Sequence, residues 1–164
     1  MTDEPCHLAQ INVARLLAPL TDPLIADFVA NIDPVNAAAE AAPGYVWRLD
    51  LPAGEAKVFD DEWLLVNMSV WASVEALTSY VYDPVHRAVL GRRREWFSRL
   101  ADASTALWWV PAGHEPTVAE AEERLRLLRA NGPTPEAFTM RTTFPPPVGS
   151  HRLADVPDVE PCPA

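Results

Sequence analysis

The feature that most constrains this fold is one apolar stretch, Trp63 to Trp71, which reads WLLVNMSVW. It contains no glycine or proline and is rich in β-branched, aromatic and aliphatic residues, so it predicts a β-strand. Because side chains alternate between the two faces of a strand, one face is wholly apolar: Leu64, Val66, Met68 and Val70. The other face mixes apolar and polar residues: Trp63, Leu65, Asn67, Ser69 and Trp71.

The mixed face predicts a small-molecule site. Two tryptophans are unusual on a solvated surface, and an asparagine beside a serine is unusual in a plain core. Apolar walls with a few placed polar groups are typical of ligand pockets. Two interpretations stay open: Asn67 is either a buried amide satisfied by the backbone or a substrate contact. Trp63 and Trp71 are either core residues or walls of the site.

Local patterns place further helices and strands around this stretch. Strands are predicted at 7–14, 45–51, 63–71, 106–110 and 139–144. Helices are predicted at 23–31 with a continuation at 35–42, then at 74–82, at 84–100 and at 118–131. The predicted N-caps, three of them followed by proline, are Asp22, Asp33, Ser73, Asp83 and Thr117. The first six elements have the ferredoxin-like βαββαβ order, so the predicted class is α+β with an extra helix and strand.

A ferredoxin-like sheet carries its helices on one face only. Because both faces of the 63–71 strand need cover, the second face is expected to pack on the same sheet of a second copy. That contact predicts a two-fold homodimer. Residues 1–144 are expected to form one domain, and residues 145–164 a proline-rich tail too poor in apolar residues to fold alone.

The predicted helix after Asp83 carries two ionisable residues on its apolar stripe. The stripe follows i, i+3, i+4, i+7 spacing: His86, Val89, Leu90, Arg93, Trp96, Phe97 and Leu100. His86 either makes a local hydrogen bond or acts as a general acid or base. An unpaired guanidinium is costly to bury. Arg93 must therefore pair with a carboxylate or carbonyl, extend into solvent, or await an anionic ligand.

Composition excludes several other functions. The net charge of −10 and a single lysine, Lys57, argue against a basic surface for nucleic acid. No apolar run approaches the length of a membrane span, and the amino-terminal sequence does not resemble a signal peptide, so a cytoplasmic protein is expected. Cys6 and Cys162 lack metal-ligand spacing and are expected to be reduced thiols, although a bridge could form if the termini meet. No metal site, phosphate loop or nucleophile elbow is indicated.

Four segments carry a resemblance to known proteins: LAQINVAR, NMSVW, YDPVHRAVL leading into RRREWF, and WWVPAGHEPTVAEAEERLRLL. With the strands placed as above, residues 8–144 resemble the dimeric α/β-barrel superfamily. Within it, they resemble a family of uncharacterised bacterial proteins defined by a domain of unknown function. The resemblance implies a ferredoxin-like dimeric α/β barrel and no common activity.

The same superfamily includes the antibiotic-biosynthesis monooxygenases, which are similar to this chain in one feature. Those cofactor-free enzymes place an asparagine and, four residues later, a tryptophan at the end of a strand that faces an enclosed pocket. Asn67 and Trp71 have that spacing. Related haem-degrading enzymes use a histidine farther along the helix, where this chain has Leu90, and His86 lies one turn earlier.

The leading hypothesis is a small dimeric enzyme, without metal or cofactor, that oxygenates, cyclises or isomerises a hydrophobic aromatic or polyketide-like molecule. In it, His86 moves a proton, Asn67 binds a carbonyl or phenolate, and Arg93 stabilises developing negative charge. The predicted substrate-binding residues are Trp71, Trp63, Trp47, Tyr82 and Ser69. Further hydrogen bonds could come from Tyr45 and Gln10. The alternatives are a non-catalytic protein that holds a small apolar ligand and a haem-binding protein with His86 as axial ligand.

Overall fold

The computed structural model describes residues 5–148, so Cys162 and most of the predicted tail lie outside the described residues. Within 5–148 the elements follow the order β1 (Cys6–Leu16), α1 (Ala26–Ala41), β2 (Tyr45–Arg48), β3 (Leu64–Trp71), α2 (Val74–Val81), α3 (Pro84–Gly91), β4 (Phe97–Ser98), β5 (Thr105–Pro111) and α4 (Val118–Asn131). Short 3₁₀ turns, Pro23–Ile25 and Arg93–Glu95, precede α1 and β4.

The strands form one antiparallel sheet with β1 at its centre. β3 pairs with one edge of β1, while β5 and the short β4 pair with the other edge. β2 pairs with the far side of β3. The order β2-β3-β1-β5, with all neighbours antiparallel, is that of a ferredoxin-like sheet. The predicted α+β, ferredoxin-like fold class is therefore confirmed.

Side-chain caps start the helices where the sequence predicts them. The caps whose side chains accept a hydrogen bond from a backbone N–H of the first turn are Asp22, Ser73, Asp83 and Thr117. Asp33 is not a cap, because α1 runs through Pro34 without a break. Packing at both ends holds α1 together across this proline. Phe28 contacts the Trp96 and Phe97 rings, and Ala39 is buried in a second cluster.

The predicted continuous helix from 84 to 100 is wrong. α3 ends at Gly91, a residue with low helix propensity. The chain then turns so that Phe97 pairs with Leu16 of β1, and Trp96 is buried beside it. Pairing with the central strand therefore overrides the helical spacing of the sequence.

The predicted last strand, 139–144, does not form. Phe138 makes two backbone hydrogen bonds of 2.8 Å with Leu107, and its buried ring packs with Phe144 and Trp109. Beyond Phe138 the chain leaves the sheet, and the indole Nε1 of Trp109 donates to the Phe144 carbonyl oxygen. This edge of β5 is thus covered by a single bridge and a side-chain contact.

Helices of the same chain pack against both faces of the sheet. The helical face lies under α1, α2 and α3. The opposite face, here called the α4 face, packs against Ala121, Leu125 and Leu128 of α4. Its sheet residues include Ile11, Met68, Val70, Trp108 and Val110. In this chain α4 already packs on this face, so a second copy is not required to bury its core; the homodimer stays a prediction.

Replacing Leu125 by alanine tests the contribution of α4 to this core. Leu125 is fully buried, so Leu125→Ala is expected to lower the free energy of unfolding by about 2–4 kcal/mol. Leu17, which is 47% exposed, provides the matched control, and Leu17→Ala is expected to lower it by less than about 1 kcal/mol. Urea unfolding followed by circular dichroism gives both values. Equal losses in the two variants would show that α4 is not an integral part of the core.

Candidate functional site

A band of polar side chains crosses the helical face of the sheet. In the sheet register Asn67 of β3 lies opposite Asn12 of β1, and Asn12 lies opposite Thr105 of β5. In the next row on the same face, Ser69 lies opposite Gln10. We call these five residues, contributed by three strands, the polar band.

Apolar clusters border the polar band on both sides. Toward the Trp71 end of β3, the helices bury Leu8, Trp71 and Leu107 completely. Toward the end of β1, a second cluster contains Leu16 and Trp96. Between them Asn67 is exposed and Asn12 is only half-buried. The helices therefore close onto the sheet at both ends of this face and leave its middle in contact with solvent.

Hydrogen bonds fix part of the band and leave the amides of Asn67 and Gln10 without a partner among residues 5–148. The Asn12 Nδ2 donates to Thr105 Oγ1 over 2.7 Å, and the indole Nε1 of Trp71 donates to Ser69 Oγ over 2.9 Å. Among residues 5–148 the side chain of Asn67 has no hydrogen-bonding partner. The interpretation of Asn67 as a buried, backbone-satisfied amide is therefore wrong.

An aromatic column connects the sheet to the helices above it. The Trp71 ring stacks on Tyr80 of α2 with centroids 4.9 Å apart, and Tyr80 lies 4.9 Å from the His86 ring of α3. The Tyr80 hydroxyl donates to the Val35 carbonyl oxygen of α1. Tyr80 packs with the Trp71 cluster, whereas Val89, one turn after His86, packs with the Leu16 cluster. His86 thus lies between a residue that packs with the Trp71 cluster and a residue that packs with the Leu16 cluster.

The surroundings of His86 determine its protonation. Its Nδ1 lies 3.0 Å from the Val81 carbonyl oxygen, which can only accept a hydrogen bond. Nδ1 of the neutral ring therefore carries the hydrogen, and Nε2 keeps a lone pair. Burial lowers the pKa of His86 below its ordinary 6.5, although Val81 and Asp83 partly oppose this. At neutral pH the ring is thus a neutral base at Nε2.

Burial also keeps the neighbouring tyrosine protonated. Removal from water, followed by the charge of Asp83, raises the pKa of Tyr80 to about 12. Its hydroxyl therefore remains a hydrogen-bond donor to Val35 throughout the neutral range. The position of Tyr80 beside His86 is accordingly independent of pH in this range.

The sequence analysis predicted Trp71 as a wall of the site, but Trp71 does not line an open cavity. Its side chain is 0% exposed, and its ring packs edge-on to Tyr45 and stacks on Tyr80. The core interpretation therefore describes Trp71, and its contribution is to support Tyr80 and, through it, His86.

Four other predicted site residues lie apart from the polar band. Arg93 is exposed in the 3₁₀ turn after α3, where it forms no ion pair with any described residue, so its predicted place on a buried stripe is wrong. Trp47 packs on the α4 face, because a register shift between Tyr45 and Trp47 turns them to opposite sides. Trp63 and Tyr82 are 45% and 65% exposed. Of the predicted site residues, Asn67, Ser69 and Trp71 thus share the helical face of β3, and Tyr80 connects the Trp71 ring to His86.

Sequence reasoning missed Asn12 and Thr105. The pattern of β1 contained a usable signal, because Gln10 and Asn12 alternate with the apolar residues Ala9, Ile11 and Val13. Only the strand register, which places Asn12 opposite Asn67, shows that the two asparagines are neighbours.

The described residues include no group of three or more His, Cys, Asp and Glu side chains placed to hold a metal ion. Likewise, none of the helices within 5–148 is long and apolar enough to cross a membrane.

Comparisons with known proteins place this chain in a sequence family. The family profile described as "Domain of unknown function (DUF3291)" matches residues 7–154. No curated protein matches the chain. Solved structures similar to it include SnoaB from Streptomyces nogalater, described as a cofactor-independent oxygenase, at 16% identity and a TM-score of 0.45 over 70% of this chain and 97% of that chain.

Two further solved structures show the same level of similarity. Rv0793 from Mycobacterium tuberculosis has 16% identity and a TM-score of 0.47 over 68% of this chain and 99% of that chain. A conserved protein from Methanosarcina mazei has 7% identity and a TM-score of 0.48 over 66% of this chain and 94% of that chain. Similarity at this level carries no conclusion about chemistry.

The environment of His86 predicts a specific dependence of stability on pH. The imidazole of His86 binds a proton less readily in the folded protein than in the unfolded chain. Below pH 6.5 the unfolded state therefore holds more protons than the folded state. The free energy of unfolding is therefore expected to fall as the pH decreases below 6.5, and His86→Gln is expected to weaken this dependence.

Two measurements check this prediction. An NMR titration gives the pKa of His86, and urea unfolding at several pH values gives the stability. His114→Gln, which removes an exposed histidine paired with Glu120, is the matched control and should leave the His86 titration unchanged. A His86 pKa at or above 6.5 would contradict the burial argument.

Proposed function

The chain belongs to the DUF3291 family, as predicted from its resemblance to a domain of unknown function, and we propose that it is an enzyme acting on a hydrophobic aromatic small molecule bound on the helical face. One observation supports this most strongly. A solvent-accessible polar band lies between two apolar clusters, and the half-buried His86 packs through Tyr80 on the Trp71 ring of one of them. Apolar walls, few polar groups and a perturbed titratable residue together are typical of a substrate site.

In the proposed reaction, His86 removes a proton from the substrate. Its Nε2 is the basic atom, because the Val81 carbonyl oxygen holds the hydrogen on Nδ1. A histidine that is neutral at pH 7 is suited to act as a general base at that pH. Loss of a proton next to a carbonyl or from a phenol places negative charge on the substrate oxygen.

Asn67 is proposed to stabilise that oxygen. Its amide has no partner among the described residues, so Nδ2 can donate to a carbonyl or phenolate without breaking an existing bond. A donor already in place where charge develops stabilises the transition state. The resulting carbanion or phenolate is then cyclised, isomerised or, with dioxygen as a second substrate, oxygenated, which are the three reactions predicted from the sequence. Arg93 has no part in this proposal, because it is exposed to solvent.

A second candidate is non-catalytic binding of the same ligand. The hydrogen bond of His86 to Val81 and its packing on Tyr80 also suit a histidine that only supports the helix junction. The two candidates differ in whether the bound compound is converted.

Haem binding through His86, the cytoplasmic location and the homodimer stay predictions. Native mass spectrometry of the purified protein would report the oligomeric state and any ligand that co-purifies.

Proton exchange provides a direct test of the proposed chemistry. The bicyclic ketone 2-tetralone has acidic C–H bonds beside its carbonyl, and NMR follows their replacement by deuterium in D₂O. The protein is expected to accelerate this exchange. His86→Gln should reduce the acceleration by a factor of about 10²–10⁴, because the base is lost. Asn67→Leu should reduce it by about tenfold or more, because one hydrogen bond to the developing oxyanion is lost.

Arg94→Gln is the matched control. Arg94 is exposed in the 3₁₀ turn and has no part in the proposed site, so this variant is expected to leave the exchange rate unchanged. Exchange that is equally fast in wild type and His86→Gln would exclude His86 as the base. Binding of 2-tetralone without exchange would favour the non-catalytic candidate.

A further inference from the structure

We propose that a groove beside the end of β5 is a second ligand site, which binds a small organic cation such as a quaternary ammonium compound. The groove lies between the first turn of α2, Trp109 of β5 and residues 143–146. None of its residues belongs to the polar band, so this inference goes beyond the proposed function and does not depend on it.

The groove is large enough for a small molecule and has mostly apolar walls. Its volume is about 350 Å³, which falls within the range of ligand sites, about 300–1,000 Å³. Two of its residues are polar, Glu75 and Thr143, and the other five are aliphatic, aromatic or proline: Val74, Trp109, Phe144, Pro145 and Pro146. A ligand that fills the groove therefore needs an apolar body.

Trp109 and Phe144 form a wall that is ordered without a ligand. The indole Nε1 of Trp109 donates to the Phe144 carbonyl oxygen over 2.8 Å, and the Phe138 ring packs with both aromatic side chains. Because this bond uses the only hydrogen-bond donor of the indole, Trp109 offers a ligand its ring rather than a polar atom. Among aromatic side chains, the indole ring attracts cations most strongly.

The charges around the groove favour a cation over an anion. Glu75 is exposed, and its carboxylate has no hydrogen bond or ion pair with any residue from 5 to 148. None of the seven groove residues is a lysine, arginine or histidine. The amino-terminal end of α2 contributes an opposing partial positive charge. That contribution is small, because the Ser73 side chain caps one N–H group there and Glu75 itself lies in this first turn.

The prolines make one side of the groove poor in hydrogen-bond donors. Pro145 and Pro146 have no backbone N–H, so they can offer a ligand only their carbonyl oxygens. The Thr143 hydroxyl, which has no partner within the described part of the chain, can accept a hydrogen bond as well as donate one. Carboxylate, carbonyl and hydroxyl oxygens beside an aromatic ring suit an ammonium group. A carboxylate or phosphate ligand would instead be repelled by Glu75.

Choline and 3,3-dimethylbutan-1-ol are a matched pair of probes for this site. They have nearly the same shape, and the charged nitrogen of choline replaces an uncharged carbon of the alcohol. Titration of the full chain, followed in ¹⁵N NMR spectra through the backbone amide signals of Glu75 and Thr143, gives both affinities. Choline is expected to bind about five- to tenfold more tightly, the combined effect of one exposed cation–π contact and one exposed ion pair.

Two variants locate this preference. Glu75→Gln should reduce it to about twofold, because the carboxylate is lost while the aromatic wall remains. Trp109→Leu should weaken the binding of choline more than that of the alcohol, because leucine keeps an apolar contact but has no aromatic ring. Glu75 is exposed, so Glu75→Gln still tests the site if Trp109→Leu does not fold.

Glu55→Gln is the matched control. Glu55 is exposed in the connection before β3, whereas α2 and the groove follow the other end of that strand. This variant changes the net charge of the protein by the same amount as Glu75→Gln. It is expected to keep the full preference for choline.

The proposal is overturned if the alcohol binds as tightly as choline or if neither compound shifts the two amide signals. It is also overturned if Glu55→Gln lowers the preference as much as Glu75→Gln, because the preference would then reflect only the net charge of −10. Amide signals that change with protein concentration but not with choline would overturn it as well, and would assign the groove to contact with a second copy of the chain.

Discussion

Hydrogen bonding along both edges of β1 is the constraint on which the rest of this structure depends. β3 pairs with residues 8–15 of β1 and β5 pairs with residues 6–12, so β1 sets the register of both neighbours. Because side chains alternate with a period of two, a slip by one residue would turn every core residue of a strand to the opposite face. The same register that buries Ile11 and Met68 on the α4 face places Asn12, Asn67 and Thr105 in one row on the other. The pairing of β3 and β5 with β1 therefore forms the core on one face of the sheet and assembles the polar band on the other.

A second consequence of the pairing along β1 concerns the α4 face. An apolar face on a ferredoxin-like sheet must be covered, and a second copy is one way to cover it. In this chain α4 fills that role with three buried residues, and Trp108 is fully buried beneath it. The indole Nε1 of Trp108 donates to Glu120 in the first turn of α4, so the contact is directional as well as apolar. The α4 face is therefore covered by a helix of the same chain.

Local sequence signals predicted much of the fold but only part of the site. The caps at Ser73, Asp83 and Thr117 act through nearby backbone groups, which explains why the helix starts were predictable. Arg93 and Trp47 were misplaced because their positions depend on distant contacts: pairing of residues 97–98 with β1 ends the helical pattern, and a bulge in β2 turns Trp47 over. The spacing of Asn67 and Trp71 was visible in the sequence. The partnership of Asn67 with Asn12 was not, since it spans two strands.

The polar band is a departure from what a stable core would select. Asparagine is disfavoured in strands, and exposing the middle of a sheet face between two dry clusters gives up apolar burial worth about 25 cal/mol per Å². Local choices that oppose stability tend to occur where a protein performs its function. The helices do not relieve the cost either: they close around Trp71 and Trp96 and leave Asn67 in solvent. An unfavourable strand residue below an exposed part of the sheet face is therefore the feature on which the proposed function depends.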